Sequence, residues 1–207
     1  MTTLVIDTCL GACQVAVVRE GRLLAARSEL MQRGHQERLA VMTQDVVGEA
    51  GLRFDKLERI AVTIGPGSFT GLRVGLAFAK GLALATGAPL VGMGTLQALA
   101  ASADDGRTAG VIDARRGQVY AQAFEAGRPL DPPQVLPFDV AAARLRELAV
   151  LAIGPGAGLF AETLGVGRTL EIAAPDLDVL ARLAEAAPAG DEVRPLYLRA
   201  PDAKLPG

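Results

Sequence analysis

Val5-Ile6-Asp7-Thr8-Cys9-Leu10-Gly11 recurs later in the chain as Val111-Ile112-Asp113-Ala114-Arg115-Arg116-Gly117. The offset of 106 residues persists, because Gly21, Arg22 and Leu24 meet the identical Gly127, Arg128 and Leu130. Turn glycines at one spacing after one Val-Ile-Asp run mark two copies of a unit. A second echo, Ile64-Gly65-Pro66-Gly67 against Ile153-Gly154-Pro155-Gly156, falls at a different offset. Each copy reads as a β-meander followed by helices and crossover strands, which predicts a duplicated α/β fold.

The local patterns agree. Leu4-Val5-Ile6, Cys13–Val18 and Arg22–Glu29 are three short strands separated by Gly11 and Glu20-Gly21. From His35 to Ala50 the period turns helical, with Leu39, Met42, Val46 and Ala50 at three- and four-residue steps and Gly51 as the stop. Arg59–Ile64 is a buried strand, Ser68–Thr86 a second helix closed by Gly87 and Pro89, Leu90-Val91 a strand and Thr95–Ala103 a helix. The polar run Ser102-Ala103-Asp104-Asp105-Gly106 is read as the boundary between units 1–103 and 104–207.

Composition narrows the function classes. The 207 residues are 50% hydrophobic with a net charge of −2, which fits a packed core and excludes a generally basic nucleic-acid coat. No Trp and 4% aromatics argue against a base-stacking surface. Cys9 and Cys13 are too few for a disulfide scaffold and suit a reducing cytoplasm. With no leader pattern and no apolar run of about 18 uncharged residues, a cytoplasmic protein is expected.

Two similar units facing each other form a cleft, and the turns carrying Asp7, Thr8 and Gly11 in one copy and Asp113 in the other point into it. In such architectures turn amides hold nucleotide phosphates while the aspartate reaches a hydrated metal. The segment Gly65-Pro66-Gly67-Ser68-Phe69-Thr70-Gly71-Leu72-Arg73 joins a strand to a helix, with Ser68 or Thr70 as cap. It is either a phosphate or partner contact at a helix N-terminus or a capped turn docking the helix on its sheet. It is no Walker A loop, and its serine stands one place too early for the hydrolase elbow. His35 is the only histidine, so a serine triad would rest on it alone, and a metal site lacks the second histidine or the several cysteines it needs. No residue is assigned a catalytic role or a metal.

The second helix is apolar nearly all round: from Leu72 to Ala85 its only charges are Arg73 and Lys80. Gly71 and Gly75, then Ala77, Gly81 and Ala85, follow at four-residue steps and suit the close approach of another helix. A helix on an open sheet should show a polar face, so a partner is expected on it, the alternative being a helix buried within this chain. Leu39, Met42 and Val46 of the first helix complete the patch with Arg73, Leu76, Lys80 and Leu84 of the second, as a four-helix interface between two chains. Arg115-Arg116, Arg194, Arg199 and Lys204 form scattered basic groups, read as solvated loops or a weak contribution to an RNA path.

Val-Ile-Asp-Thr at 5–8, the Gly65–Arg73 signature, Ile-Asp-Ala-Arg-Arg-Gly at 112–117, Tyr197-Leu198-Arg199 and the closing Lys-Leu-Pro-Gly resemble the bacterial TsaB (YeaZ) family along essentially the whole chain. The resemblance implies an actin-like (ASKHA) fold of two duplicated subdomains, each a mixed β-sheet flanked by helices. It implies a non-catalytic platform in the synthesis of N6-threonylcarbamoyladenosine at position 37 of tRNAs reading ANN codons. Its expected partners are a TsaD-like catalytic paralogue, bound through the two N-terminal helices, a TsaE-like ATPase, and tRNA through the assembled complex. A homodimer is expected when the chain is alone. The turns after Asp7 and Asp113 lack the dense glycines and threonines of ATP-binding relatives. A weak ATP or ADP site at the subdomain cleft or the partner interface is the only cofactor left open. The rival reading is a stand-alone actin-like ATPase or small-molecule kinase using Asp7 and the Gly65 turn; a peptidase through Ser68 is the third reading and is not expected.

Overall fold

The computed structural model describes residues 1–165, 167–188 and 193–199. Lys204 and the closing Lys-Leu-Pro-Gly lie outside the described residues. The first meander is β1 (Thr2–Asp7), β2 (Ala12–Arg19) and β3 (Arg22–Leu30). Next come α1 (His35–Glu49), β4 (Arg59–Thr63), α2 (Phe69–Thr86), β5 (Leu90–Met93) and α3 (Thr95–Ala100). The chain then starts again with β6 (Arg107–Arg115), β7 (Gln118–Glu125), β8 (Arg128–Pro129) and β9 (Gln134–Pro137). It ends with α4 (Phe138–Glu147), β10 (Leu151–Ile153), α5 (Ala161–Leu164), β11 (Thr169–Leu170) and α6 (Leu177–Ala186).

Two sheets of one design result. The first has the order β3-β2-β1-β4-β5, and the second runs β11-β10-β6-β7-β8 with β9 also paired to β7. In each, the hairpin partners are antiparallel and the crossover strands parallel. Moving β2 by 106 residues lands on β7, and the hairpin tips repeat too. Glu20-Gly21 have φ of 51° and 75°, and Ala126-Gly127 have 49° and 76°. Positive φ at both centres is the tight two-residue hairpin turn that matches strand twist. The third strand of the second meander is broken into β8 and β9 around Pro132 and Pro133, which cannot donate to a ladder.

The first sheet is covered on both faces, so β1, β2 and β4 are buried along nearly their whole length. Leu4, Ile6, Val15 and Val17 face Leu39, Met42 and Val46 of α1 and Leu76 and Ala79 of α2. Val5, Ala16, Val18 and Ala61 on the other face pack against Leu180, Ala181 and Ala184 of α6. Helix α6 therefore follows the second sheet in the chain but covers the first, across the boundary expected between 1–103 and 104–207. Three hydrogen bonds explain why it stays: Arg59 Nη1 donates to the carbonyls of Ala184 (2.9 Å), Glu185 (3.2 Å) and Ala187 (3.0 Å) at its C-terminal end. In the second unit α4 takes the place of α1, while four-residue α5 stands where the first unit has the 18 residues of α2.

Candidate functional site

The turn after β1 is locked to the start of α2. Ser68 caps α2, its Oγ accepting from the Gly71 amide at 3.2 Å, and its own amide donates to Cys9 O at 2.7 Å. Thr8 Oγ1 donates to Gly71 O at 2.7 Å. A Cβ on Gly67 would lie 2.2 Å from Cys9 O, one on Gly71 2.1 Å from Thr8 O, and one on Gly75 2.3 Å from Thr8 Oγ1. Glycines four apart thus line a groove filled by the β1 turn. Gly71 and Gly75 therefore do not receive another chain's helix. Of the small-residue row only Ala77, Gly81 and Ala85 are exposed, and a Cβ on Gly81 would meet nothing within 4 Å.

Asp7 does not reach an open cleft. It is 0% exposed, and its Oδ1 accepts from Thr63 Oγ1 and from the Cys9 amide (3.0 Å). Its Oδ2 is buried without a hydrogen-bond partner. Burial pushes the carboxyl above its ordinary value, against the pull of Thr63, the Cys9 amide and the nearby His35. Cys9 is likewise pushed up to about 12 by burial and by the Asp7 charge.

Leu10 packs with Leu72, Leu96, Leu99 and Ile112, with Ile172 against the same cluster, so an apolar core joins the two halves beside the turn. Gly11 donates its amide to Ala173 O (3.2 Å), and Gln14 Nε2 donates to Pro175 O (3.1 Å), laying the 172–175 segment across the turn. Asp113 is the more exposed aspartate, but its carboxylate accepts from the Arg115 amide (2.7 Å) and from Arg115 Nη1 (3.1 Å). A nucleotide with a hydrated metal needs free turn amides and an accessible carboxylate, and Asp7, Thr8 and Gly11 supply neither. These residues do not fit ATP or ADP there. Among the described residues no group of three or more His, Cys, Asp or Glu side chains could hold a metal. Ser68 and His35 serve separate ends, the serine as a cap and His35 Nε2 lying 3.3 Å from Ala12 O.

The helix face needs a correction. Leu39, Met42 and Val46 are 1%, 0% and 0% exposed, and Leu76 is 6%. Their stripe is real, but it faces the chain's own sheet. What α1 and α2 present outward is Gln36, Glu37, Ala40, Val41, Gln44, Gly48 and Glu49 with Phe69, Thr70, Arg73, Ala77, Lys80, Gly81, Leu84 and Ala85. Leu84 is 89% exposed. Two hollows open between the helices. One of about 520 Å³ includes Gln36, Phe69, Arg73 and Phe78, and one of about 590 Å³ includes Gln44, Leu52, Phe54 and Leu82. Val41, Phe69 and Tyr197 escaped the sequence reading of this face. The α1 wheel could have revealed Val41, since it falls nearly opposite Leu39.

A family model described as tRNA N6-adenosine threonylcarbamoyltransferase (TsaD) matches residues 27–131. The tRNA threonylcarbamoyladenosine biosynthesis protein TsaB of Escherichia coli is 40% identical over 124 residues, which are 58% of this chain and 53% of that protein. The structure of YeaZ from Pseudomonas aeruginosa superposes with a TM-score of 0.79 at 30% identity, covering 95% of this chain and 99% of that one. The chain belongs to the TsaB (YeaZ) family. It matches about half the length of the curated TsaB proteins. The ROK hexokinase of Thermus thermophilus, at 15% identity, covers 90% of this chain and 98% of its own with a TM-score of 0.53. That likeness shows the actin-like ATPase fold that this TsaB-family chain shares. Among the described residues no helix is long and apolar enough to cross a membrane.

Proposed function

We propose that this chain is a non-catalytic subunit in the formation of N6-threonylcarbamoyladenosine at position 37 of tRNAs reading ANN codons. In this reading it docks a TsaD-like catalytic subunit on the outward face of α1 and α2 and holds it in its productive form. A TsaE-like ATPase and tRNA join through the assembled complex, and two copies of the chain share the same face when no paralogue is present. The observation that carries the reading is the outer face of α2. Leu84 stands 89% exposed among Ala77, Gly81 and Ala85, with Arg73 and Lys80 as the helix's only charges. Such a face suits close helix packing against another chain. The filled cleft supports the same reading over a stand-alone ATPase, since the turn has no free carboxylate to offer.

The test is solution mass by light scattering, alone and mixed with the cognate TsaD-like protein. Because Leu76 is buried, the informative variant is Ala77→Glu with Leu84→Glu, both exposed. The wild type forms a complex and the double variant stays monomeric with an unchanged circular-dichroism spectrum. Equal complex formation by both would overturn the proposed face.

A further inference from the structure

Residues 193–199 lie far from α2 in the chain yet finish its outward face. Val193 packs into the core beneath α1 and α2, and the Leu196 amide donates to Ile64 O at 2.8 Å. Tyr197 then sits beside the first residues of α2. Its ring is 5.6 Å from that of Phe69, and its hydroxyl accepts from Arg73 Nε at 2.9 Å. The Arg73 guanidinium lies 3.6 Å over the Phe69 ring. Phe69 and Tyr197 remain 45% and 43% exposed. Two residues on, Arg199 Nη1 donates to Ala114 O at 2.8 Å and Nη2 to Gln118 Oε1, in the turn between β6 and β7. Tyr197 and Arg199 are separated by at most about 7 Å of extended chain. One short strap therefore ties the outward end of α2 to the first turn of the second unit.

We infer that Tyr197 is a contact residue for the protein that docks on α2, and that the strap transmits this docking to the Ala114–Gln118 turn. The inference rests on the proposed function for its occupant, the catalytic paralogue. Tyr, Phe and Arg are residue types that anchor protein interfaces, and here the three are held together before any partner arrives, which lowers the ordering cost of binding. Charge identifies the kind of surface that fits. Helix α2 carries Arg73 and Lys80 and no carboxylate, so the partner brings an acidic residue to the Arg73 end and apolar side chains to the Phe69–Tyr197 pair. A partner that buries Tyr197 also fixes Arg199, which is two residues away and grips the second unit. By linkage, whatever holds the Ala114–Gln118 turn in place strengthens docking by the same factor.

The test uses the full chain with Tyr197→Ala, Tyr197→Phe, Arg199→Ala and Leu84→Glu. Calorimetry gives the affinity for the TsaD-like protein, and hydrogen exchange follows residues 112–120. Tyr197→Ala weakens binding at least tenfold with its circular dichroism intact, and Tyr197→Phe weakens it less because the ring remains. Paralogue binding slows exchange of the 114–118 turn in the wild type and no longer does so in Arg199→Ala. Wild-type affinity in Tyr197→Ala, or equal protection of the turn in Arg199→Ala, would overturn the inference. If Leu84→Glu also binds normally, the α2 face itself is wrong and the proposed function falls with it. In the chain alone, Tyr197→Ala speeds exchange of the same turn, and an unchanged rate there refutes the strap without any partner.

Discussion

Gly71→Ala and Gly81→Ala change the same helix in the same way and should move stability in opposite directions. At Gly71 the new Cβ would sit 2.1 Å from Thr8 O, against 3.4 Å for the closest ordinary contact. Relieving that overlap pushes α2 about 1.3 Å away from the β1 turn, whose backbone cannot swing aside as a side-chain end would. Such overpacking costs about 1–3 kcal/mol. The Thr8 Oγ1 bond to Gly71 O weakens with the shift, for about 1 kcal/mol more. Alanine's better helix propensity returns about 1 kcal/mol. The net is a loss of about 2 kcal/mol, or roughly 1 M in the urea midpoint for an m-value of about 2 kcal/mol/M. Gly81 meets nothing within 4 Å, so only the propensity gain applies, and Gly81→Ala should gain about 0.5–1 kcal/mol. Urea denaturation followed by circular dichroism decides the matter. If the Gly71 and Gly81 variants shift together, α2 is not seated on the β1 turn as described.

Asp7 carries a raised pKa, so the folded state holds its proton to higher pH than the unfolded chain does. Its effect on stability is most favourable below the ordinary carboxylate value and is lost as pH rises through the folded value; Asp7→Asn should flatten this decline in denaturant midpoints and be no less stable than wild type at neutral pH. Arg59→Ala strips three carbonyls at the end of α6 of their donor, costing about 1–3 kcal/mol, and hydrogen exchange should quicken across Leu177–Ala186 more than in α4. Burial, with the Asp7 charge, pushes the Cys9 and Cys13 thiols up to about 12 and about 11. Neither should react with a disulfide reagent at pH 8 until denaturant is added, whereupon both should titrate.

Most of the fold was legible because it is written twice. The 106-residue repeat of Val-Ile-Asp and its turn glycines predicted both meanders, and the sheet orders match copy for copy. The two N-terminal helices were legible, but not which side of each faces the sheet. An apolar stripe such as Leu39–Met42–Val46 shows which side of a helix is dry, and only the sheet's position says what dries it. The glycine row misled for a related reason. Four-residue spacing makes a groove whatever fills it, and here Thr8 and Cys9 fill it from within the chain. The crossing of α6 to the first sheet could not be read at all, because its ten residues fit either sheet and the Arg59 clasp joins residues 125 or more apart.

The packing of α2 explains why it is apolar nearly all round. Leu72, Leu76 and Ala79 face the interior, and Gly71 and Gly75 admit the β1 turn, so two sides of the helix are used within the chain. A third side, with Leu84 at its centre, is not. Leaving one leucine side chain in water forgoes about 2 kcal/mol of burial. Lysine or glutamate would serve an exposed helix position equally well for propensity and better for solubility. The second unit makes the contrast directly: at the corresponding place it keeps four residues of α5 and has no long apolar helix to cover. The two units share their sheet order and differ most where the first presents an uncovered surface. The same packing that filled the cleft with Leu10 and Ile112 leaves that surface uncovered, which is why the proposed docking is placed on it.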